Sequence, residues 1–449
     1  MKTISGPKTP NLLQAMEWIL APINYLEKAS KNHPEVFKSG ILPIVDHLVL
    51  VSNPKILQNI LTNDRQKFMA CKDGNEILIS LLGNHSLVML EGDRHKQRRQ
   101  LLMPSFHGQQ ISKYGDDICQ ITHQVMAETP HNQVFTARSL TQSITLGVMM
   151  QEVFGLREGE RYQRLQTLLI SLLGIFNVPI NVAFLFFPSL QKNLGKWSPW
   201  GYFLSIRKQI DDLIYTEIAE RRQSGMTERN DILSLLMNAK DSEGNSLTDE
   251  ELRDELLTLL FAGYETTANA LAWSLYWAHR LPEVKAKILA ELATLENHDP
   301  SAIARLPYLS AVCQETLRLY PIALVTFPRL VKEATELEGY HFPANTIILG
   351  SIYQIHHRPE IYPEPEMFKP ERFLEKQFSP YEYLPFGGGV RRCLGEVLAQ
   401  FEMKLALAEI LSHYELILAD QRPEKPQRSG VLLGPARGVP MILKETIVR

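Results

Sequence analysis

The residue best placed to do chemistry in this 449-residue chain is a single thiol, Cys393. It lies in the run Phe386-Gly387-Gly388-Gly389-Val390-Arg391-Arg392-Cys393-Leu394-Gly395, directly before a segment, 396–413, that reads as a helix. Three successive glycines permit backbone conformations that other residues resist, and they let the chain approach a flat ligand closely. A cysteine at a helix N-terminus beside Arg391 and Arg392 is expected to have a lowered pKa, and a thiolate is a nucleophile or a metal ligand. Two glycine-loop readings fail here. There is no Lys-Ser/Thr for a phosphate loop, and no preceding strand with GxGxxG spacing. Taken alone, the run also reads as a structural cysteine after a glycine turn.

A second group is Ala262-Gly263-Tyr264-Glu265-Thr266-Thr267. Glycine weakens a helix and a buried glutamate is costly, so this pattern in mid-helix is either a tolerated defect or a proton-handling site. Glu315 and Arg318 share a helix face at i,i+3, which is ordinary for a surface pair. His95 and Arg99 stand at i,i+4, with Arg94, Lys96 and Arg98 around them, and a solvated basic face is the plainer reading.

The elements that must position these groups follow from periodicity and caps. Thr248 and Glu251 form a capping box, and nothing breaks the helix until Leu281–Pro282. The predicted helix runs for roughly 30 residues, about 45 Å, and is apolar almost all round over 256–270. Short strands are expected at 41–45 and 47–51, followed by a helix from about Pro54. The chain then reads as mostly helical from 94 to 295, with polar separators at 222–230 and 240–247. After Pro321 it turns β-like at 328–331 and 346–351, then runs irregular and proline-rich to Phe386. A last helix at 396–413 precedes a β-like tail. No linker divides these parts. The fold expected is mainly α with small β-sheets, an α-dominated α+β unit spanning 1–449 with a β-rich patch at about 35–65.

Length alone would suggest two or three domains. The charge balance, 47 Lys+Arg against 50 Asp+Glu, argues against a nucleic-acid binder. Four cysteines with no CxxC pair argue against a disulfide scaffold and for a reducing, cytoplasmic compartment. The N-terminus has neither the pattern of a signal peptide nor that of an anchor. Residues 165–191 carry no charge, but Gly174, Asn177, Pro179, Asn181 and Pro188 interrupt them. A buried or interfacial segment is therefore expected, with a break at 177–179 and an aromatic loop at 184–187, in place of a membrane span.

Together these motifs resemble the cytochrome P450 family of haem-thiolate monooxygenases, along essentially the whole chain. The pattern Phe-x-x-Gly-x-Arg-x-Cys-x-Gly is matched by Phe386, Gly389, Arg391, Cys393 and Gly395, with Gly387 inside the loop. The resemblance implies haem b ligated by the Cys393 thiolate, with Phe386 shielding the sulfur and Arg391 pairing with a propionate. His95 and Arg99 match the family's propionate pair; Arg329 and His356 are further candidates. In the family the stretch Ala262–Thr267 bulges into an oxygen-binding groove, which makes Thr266 the alcohol and Glu265 the acid of proton delivery. Relatives that attach haem covalently carry Glu where this chain has Ala262, so the haem is expected to be non-covalent. Glu315, Arg318 and Arg372 match a buried structural network. Arg94, Lys96, Arg98 and Arg392 match the face that docks an acidic electron carrier, a ferredoxin or flavodoxin served by its own reductase, with O2 as co-substrate.

By the same resemblance, Val88, Leu260, Phe261, Ile322, Ala323, Leu324, Val325 and Leu432 line the substrate pocket. An apolar lining suits an apolar small molecule, and the body is similar to the fatty-acid-hydroxylating branch, cyanobacterial relatives included. Hydroxylation of a long-chain fatty acid or related lipid is the expectation, with a sesquiterpene or other terpenoid as the alternative. The 184–187 loop with Trp197 and Trp200 either faces lipid, as a peripheral membrane contact, or packs over the channel. Two readings from other classes stay open at this point: a haem-bearing sensor without turnover, and a helical scaffold without haem.

Overall fold

The computed structural model describes residues 2–447, apart from 43–44, 46, 65, 72–77, 177–178, 225–228, 241–243 and 298, and apart from the side chains of 109, 179, 180 and 188. Its axis is the helix Asp249–Arg280. Thr248 accepts a hydrogen bond from the Glu251 amide at 3.2 Å, and Glu251 accepts one from the Thr248 amide at 3.1 Å. Three acids occupy the first turn and His279 and Arg280 the last, as the helix dipole favours. The helix stops where Pro282 begins the next one.

This long helix packs along Ala137–Phe154. Gly263 makes the close approach possible, because a Cβ there would sit 2.3 Å from the Met149 sulfur. Two hydroxyls tie the helices together across the contact: Thr141 donates to the Ala268 carbonyl at 2.8 Å and Thr145 to the Tyr264 carbonyl at 3.0 Å. The last helix, Glu396–His413, packs on both the long helix and Gln109–Ala127.

A five-stranded sheet flanks this helical body, in the order Val36–Lys38, Leu48–Val51, Ile347–Gly350, Arg329–Val331, Phe68–Ala70. Leu48–Val51 runs parallel to Ile347–Gly350, with Leu48 opposite Ile347. The expected strand at 47–51 and the helix from Pro54 are present. The strand expected at 41–45 is not: Val36–Lys38 pairs in its place, Ile41 and Leu42 lie in a bend, and 43–44 fall outside the described residues. The tail forms a hairpin, Pro426–Ser429 with Leu432–Pro435, and a sheet in which Pro440–Thr446 lies between Val134–Thr136 and Tyr414–Leu418.

The uncharged segment folds as Glu160–Phe176 and Pro179–Phe186. The break expected at 177–179 falls largely outside the described residues, but Pro179 opens the second helix, where its missing N–H costs nothing. Phe184–Phe186 is helical instead of a loop. Trp200 is buried and stacks on Phe203 at 4.8 Å, so it packs, whereas Trp197 is 97% exposed. Among the described residues no helix is long and apolar enough to cross a membrane.

Candidate haem and substrate site

The glycine run forms a braced loop. Its neck closes where the Cys393 amide donates to the Phe386 carbonyl at 2.9 Å, and His356 Nε2 accepts from the Leu384 amide at 2.9 Å. Asp64 holds the loop's middle, accepting from the Val390 amide at 3.0 Å and from Arg329 Nε at 2.6 Å, while Arg329 also donates to the Gly388 carbonyl at 3.1 Å. Gly389 has φ +66°, and a Cβ there would sit 2.3 Å from the Asp64 carboxylate. Gly387 has φ +67° as well, but a Cβ on it would meet no atom within 4 Å, although Gly387 lines a cavity.

That cavity has a volume of about 350 Å³ and lies between this loop and the middle of the long helix. Cys393, Phe386, Gly387, Arg391 and Gly395 line one side; Ala262, Gly263 and Thr266 line the other. Ala262 is exposed in the middle of an otherwise buried helix because the cavity opens there. His95, Arg99 and Arg391 line it as well, three donors able to meet carboxylates. Val88, Ile322, Ala323, Val325 and Leu432 supply much of the apolar lining.

The expected lowering of the Cys393 pKa is overturned. The sulfur is exposed to the cavity, yet the protein packed around it desolvates the thiolate and pushes the thiol up to about 11, outweighing the Gly395 amide that bonds it and the charges of Arg99 and Arg392. Arg391 is no help to the sulfur: its guanidinium turns to the carbonyls of Leu87, at 2.8 Å, and Leu90, and burial lowers its own pKa to about 10. A thiol in such a place becomes a thiolate through a metal ion, which deprotonates it on binding. A sulfur, a flat open space left by Gly387 and a facing helix, and cations at the rim fit a planar, dianionic, iron-bearing ring.

The family profile described as Cytochrome P450 matches residues 7–440. Cytochrome P450 135B1 of Mycobacterium tuberculosis is 32% identical over 98% of this chain and 91% of its own length. The chain belongs to the cytochrome P450 family. Cytochrome P450 135A1 of the same organism is also 32% identical, over 96% of this chain and 93% of that one. Two solved structures share the fold: a retinoic acid-bound cyanobacterial CYP120A1 (TM-score 0.83, 23% identity, 96% of each chain) and the heme domain of cytochrome P450DA (TM-score 0.83, 21% identity, 99% and 97%). This cytochrome P450 is therefore a monooxygenase with the α-dominated α+β fold of its family. It carries non-covalent haem b with cysteine thiolate ligation. Members of the family generally need O2 and a separate redox partner.

The structure moves several of the expected site residues elsewhere. Arg329 is 1% exposed and committed to Asp64 and Gly388, so it braces the loop instead of lining the cavity. His356 is likewise consumed, its two ring nitrogens meeting the Arg318 carbonyl and the Leu384 amide. Arg98 leaves the basic face: it is buried and pairs with Glu251 at 2.6 Å and Glu255 at 2.8 Å, while Arg94 and Lys96 stay exposed. Leu260, Phe261 and Leu324 are buried outside the cavity lining, because the helix and the turn present their other faces to it. Glu265 also lies outside the lining. Its carboxylate is held by Arg138, by Gln142 at 2.8 Å and by Asn269 at 3.1 Å. Residues 262–267 lie within the long helix, and Thr266 donates to the Ala262 carbonyl at 2.5 Å. Glu315, Arg318 and Arg372 do meet, with contacts of 2.7 and 3.0 Å.

Lining residues that the sequence reading missed include Phe106, Met149, Thr258, Leu259 and two acids, Glu255 and Glu402. Glu402 interrupts an apolar helix face nine residues after Cys393, which was the available signal. Burial drives Glu402 well above the usual carboxylate range, with the charge of Glu152 adding to it. Burial also raises Glu152 to about 8, helped by Asp117 and Asp231 against Arg157. The folded chain therefore keeps a proton on Glu152 that the unfolded chain gives up from about pH 4.5. This group's contribution to stability falls as pH rises from there to about 8. Glu152→Gln is expected to flatten that slope, narrowing the stability difference between pH 5 and 8.5 by on the order of 2–4 kcal/mol. Thermal melts of the two proteins across that range check it; parallel curves would refute it.

Proposed function

We propose that this cytochrome P450 hydroxylates an apolar lipid, a long-chain fatty acid or a related molecule, with a terpenoid as the nearest alternative. The observation that carries the reading is the lining of the cavity above Cys393. Val88, Phe106, Leu259, Ile322, Val325 and Leu432 offer a chain-like ligand apolar contact; the cations His95, Arg99, Arg391 and Arg392 are the groups suited to the haem carboxylates, and the other polar lining is the threonines Thr258, Thr266, Thr267 and Thr326 with the acids Glu255 and Glu402. The cyanobacterial neighbour CYP120A1 is bound to retinoic acid, an isoprenoid carboxylic acid, which combines features of both classes.

In this reading Cys393 would hold the haem iron through its sulfur, with Phe386 beside it, and His95, Arg99 and Arg391 would meet the propionates. Arg99 is already oriented, donating to the Arg392 carbonyl at 2.8 Å. When bound, the haem supplies dioxygen activation, and a thiolate ligand favours O–O cleavage by pushing electron density onto iron. The chain's part is to hold substrate, exclude water and supply protons. Thr266 is the hydroxyl facing the cavity, and exchanging its bond to the Ala262 carbonyl lets it hold a proton at Oγ1. Glu265 can feed it only after leaving Arg138, so we place Glu265 behind Thr266 in the relay. Thr266→Ala is expected to cut product formed per reductant consumed by about tenfold or more. Reductant and product assays on the same sample read this, and unchanged coupling would remove Thr266 from proton delivery.

Arg94 and Lys96 are exposed beside the cysteine loop, where Arg392 pairs with Glu396 at 2.6 Å. We assign this face to an acidic ferredoxin or flavodoxin, with its reductase upstream. The four cysteines, with no disulfide among the described residues, support a reducing, cytoplasmic setting. Exposed Leu190, Leu194 and Trp197 support peripheral contact with lipid. A cavity lined by both the long helix and the cysteine loop supports a single functional unit over 1–449. Spectral titration with a panel of fatty acids and terpenes tests the substrate class. A high-spin shift with fatty acids is the expected result, a shift with terpenes alone would favour the alternative, and no shift with either would reject both.

A further inference from the structure

We propose that His123, Glu409 and His413 form a binding site for a transition metal ion, zinc by the chemistry of the donors, at the end of the last helix remote from Cys393. One ligand atom from each lies within 4.8 Å of the other two. His123 Nε2 is 2.8 Å and His413 Nδ1 is 3.3 Å from the same oxygen, Glu409 Oε2. The sequence spacing builds this arrangement. Cys119 and His123 are one turn apart on Gln109–Ala127, Glu409 and His413 one turn apart on Glu396–His413, and these two helices pack together. Each helix therefore turns a pair of these groups toward the other.

Three further details suit a metal. Glu409 is 5% exposed, while both imidazoles are partly exposed, so an ion can enter from solvent onto a buried carboxylate. The Tyr414 hydroxyl lies 3.0 Å from His123 Nδ1, the outer hydrogen bond that orients a ligating histidine and leaves Nε2 for the ion. The Cys119 thiol hydrogen-bonds Glu409 and helps to hold that carboxylate in place, and the fourth corner is left to solvent. Tetrahedral zinc at 2.0–2.1 Å from each ligand sets its donors about 3.3 Å apart. The His413–Glu409 spacing already has that value, and the His123–Glu409 contact needs to open by about half an ångström. Two imidazoles and a carboxylate favour zinc over calcium or magnesium, which take oxygen donors. The ion would bridge the last helix to its neighbour about 25 Å along the axis from the cysteine loop. Each imidazole ligates through a ring-nitrogen lone pair, and no redox step is involved.

The test uses the untagged haem-loaded protein, stripped with a chelator and titrated with zinc chloride in a calorimeter, with metal content measured separately. The expected result is one zinc per chain with micromolar or tighter affinity and a melting temperature that rises with zinc concentration. His123→Ala/His413→Ala, checked for unchanged haem content, is expected to weaken binding at least 100-fold. Should that variant fold poorly, His413→Gln alone is expected to weaken it at least tenfold. Equal affinity in the parent and in the folded variant, or no stoichiometric zinc in the parent, would overturn the site.

Discussion

Cys393→Ala is expected to yield a folded protein that has lost the thiolate signature of its haem and its oxygenase activity together. The ferrous carbon monoxide complex of the parent should show the long-wavelength Soret band of thiolate ligation, and the variant should not. Product formation should fall by at least about 1000-fold, since the iron loses the ligand on which O–O cleavage depends. The other three cysteines offer no substitute. Cys71 and Cys313 are buried, Cys119 lies on a different helix, and none lines the cavity. Because the loop is braced by Asp64, Arg329 and His356, removing the sulfur should cost little stability. A thiolate band that survives the substitution would sink the ligand assignment, and loss of the whole fold would show that the brace had been misjudged.

Arg318→Ala is expected to be the most destabilising single change at the haem-side core. Glu315 and Arg318 are both 0% exposed, joined by contacts of 2.7 and 2.9 Å. Glu315 also accepts from Arg372 at 3.0 Å and from the Lys369 amide at 2.9 Å, and Arg318 reaches the His356 carbonyl at 2.8 Å. Truncating Arg318 leaves Glu315 Oε2 without its donor, while Oε1 keeps Arg372 and the Lys369 amide, and it also strands the buried His356 carbonyl. Breaking a buried pair in this way costs about 3–5 kcal/mol. Arg318→Lys should recover only part, because a single ammonium cannot reproduce the planar fork. Glu315→Leu/Arg318→Leu should lose less than the sum of the two single changes. Denaturant or thermal unfolding reads all of these, and a loss below about 1 kcal/mol for Arg318→Ala would show the network to be dispensable.

The contrast between what the chain's sequence foretold and what it hid follows the range of the interactions. The helix Asp249–Arg280 was legible end to end because its cap, its acidic first turn and its stop at Pro282 are local. The cysteine loop was legible because glycines, arginine and cysteine sit within ten residues. Arg329 was misread since its partner, Asp64, lies 265 positions earlier. Arg98 was placed on the surface for the same reason, its acids being 153 and 157 residues away. Glu265 was aimed at the cavity on family pattern, but Arg138 on a neighbouring helix captures it. The direction of the Cys393 pKa is set less by its sequence neighbours than by the walls that the fold packs around the cavity, which desolvate the thiolate.

The parallel pairing of Leu48–Val51 with Ile347–Gly350 bears on how the molecule is made. Its two strands are separated by roughly 300 residues, and the N-terminal strand leaves the ribosome long before its partner exists. Until then the apolar run Leu48-Val49-Leu50-Val51 has an open edge on the side its partner will cover, a ready template for wrong pairing with other chains. Closing so large a loop is slow, so the nascent protein depends on the helical body to gather first and bring the late strand home. Overproduction that outruns this step should fill inclusion bodies with chains that have made their helices and not yet made their sheet.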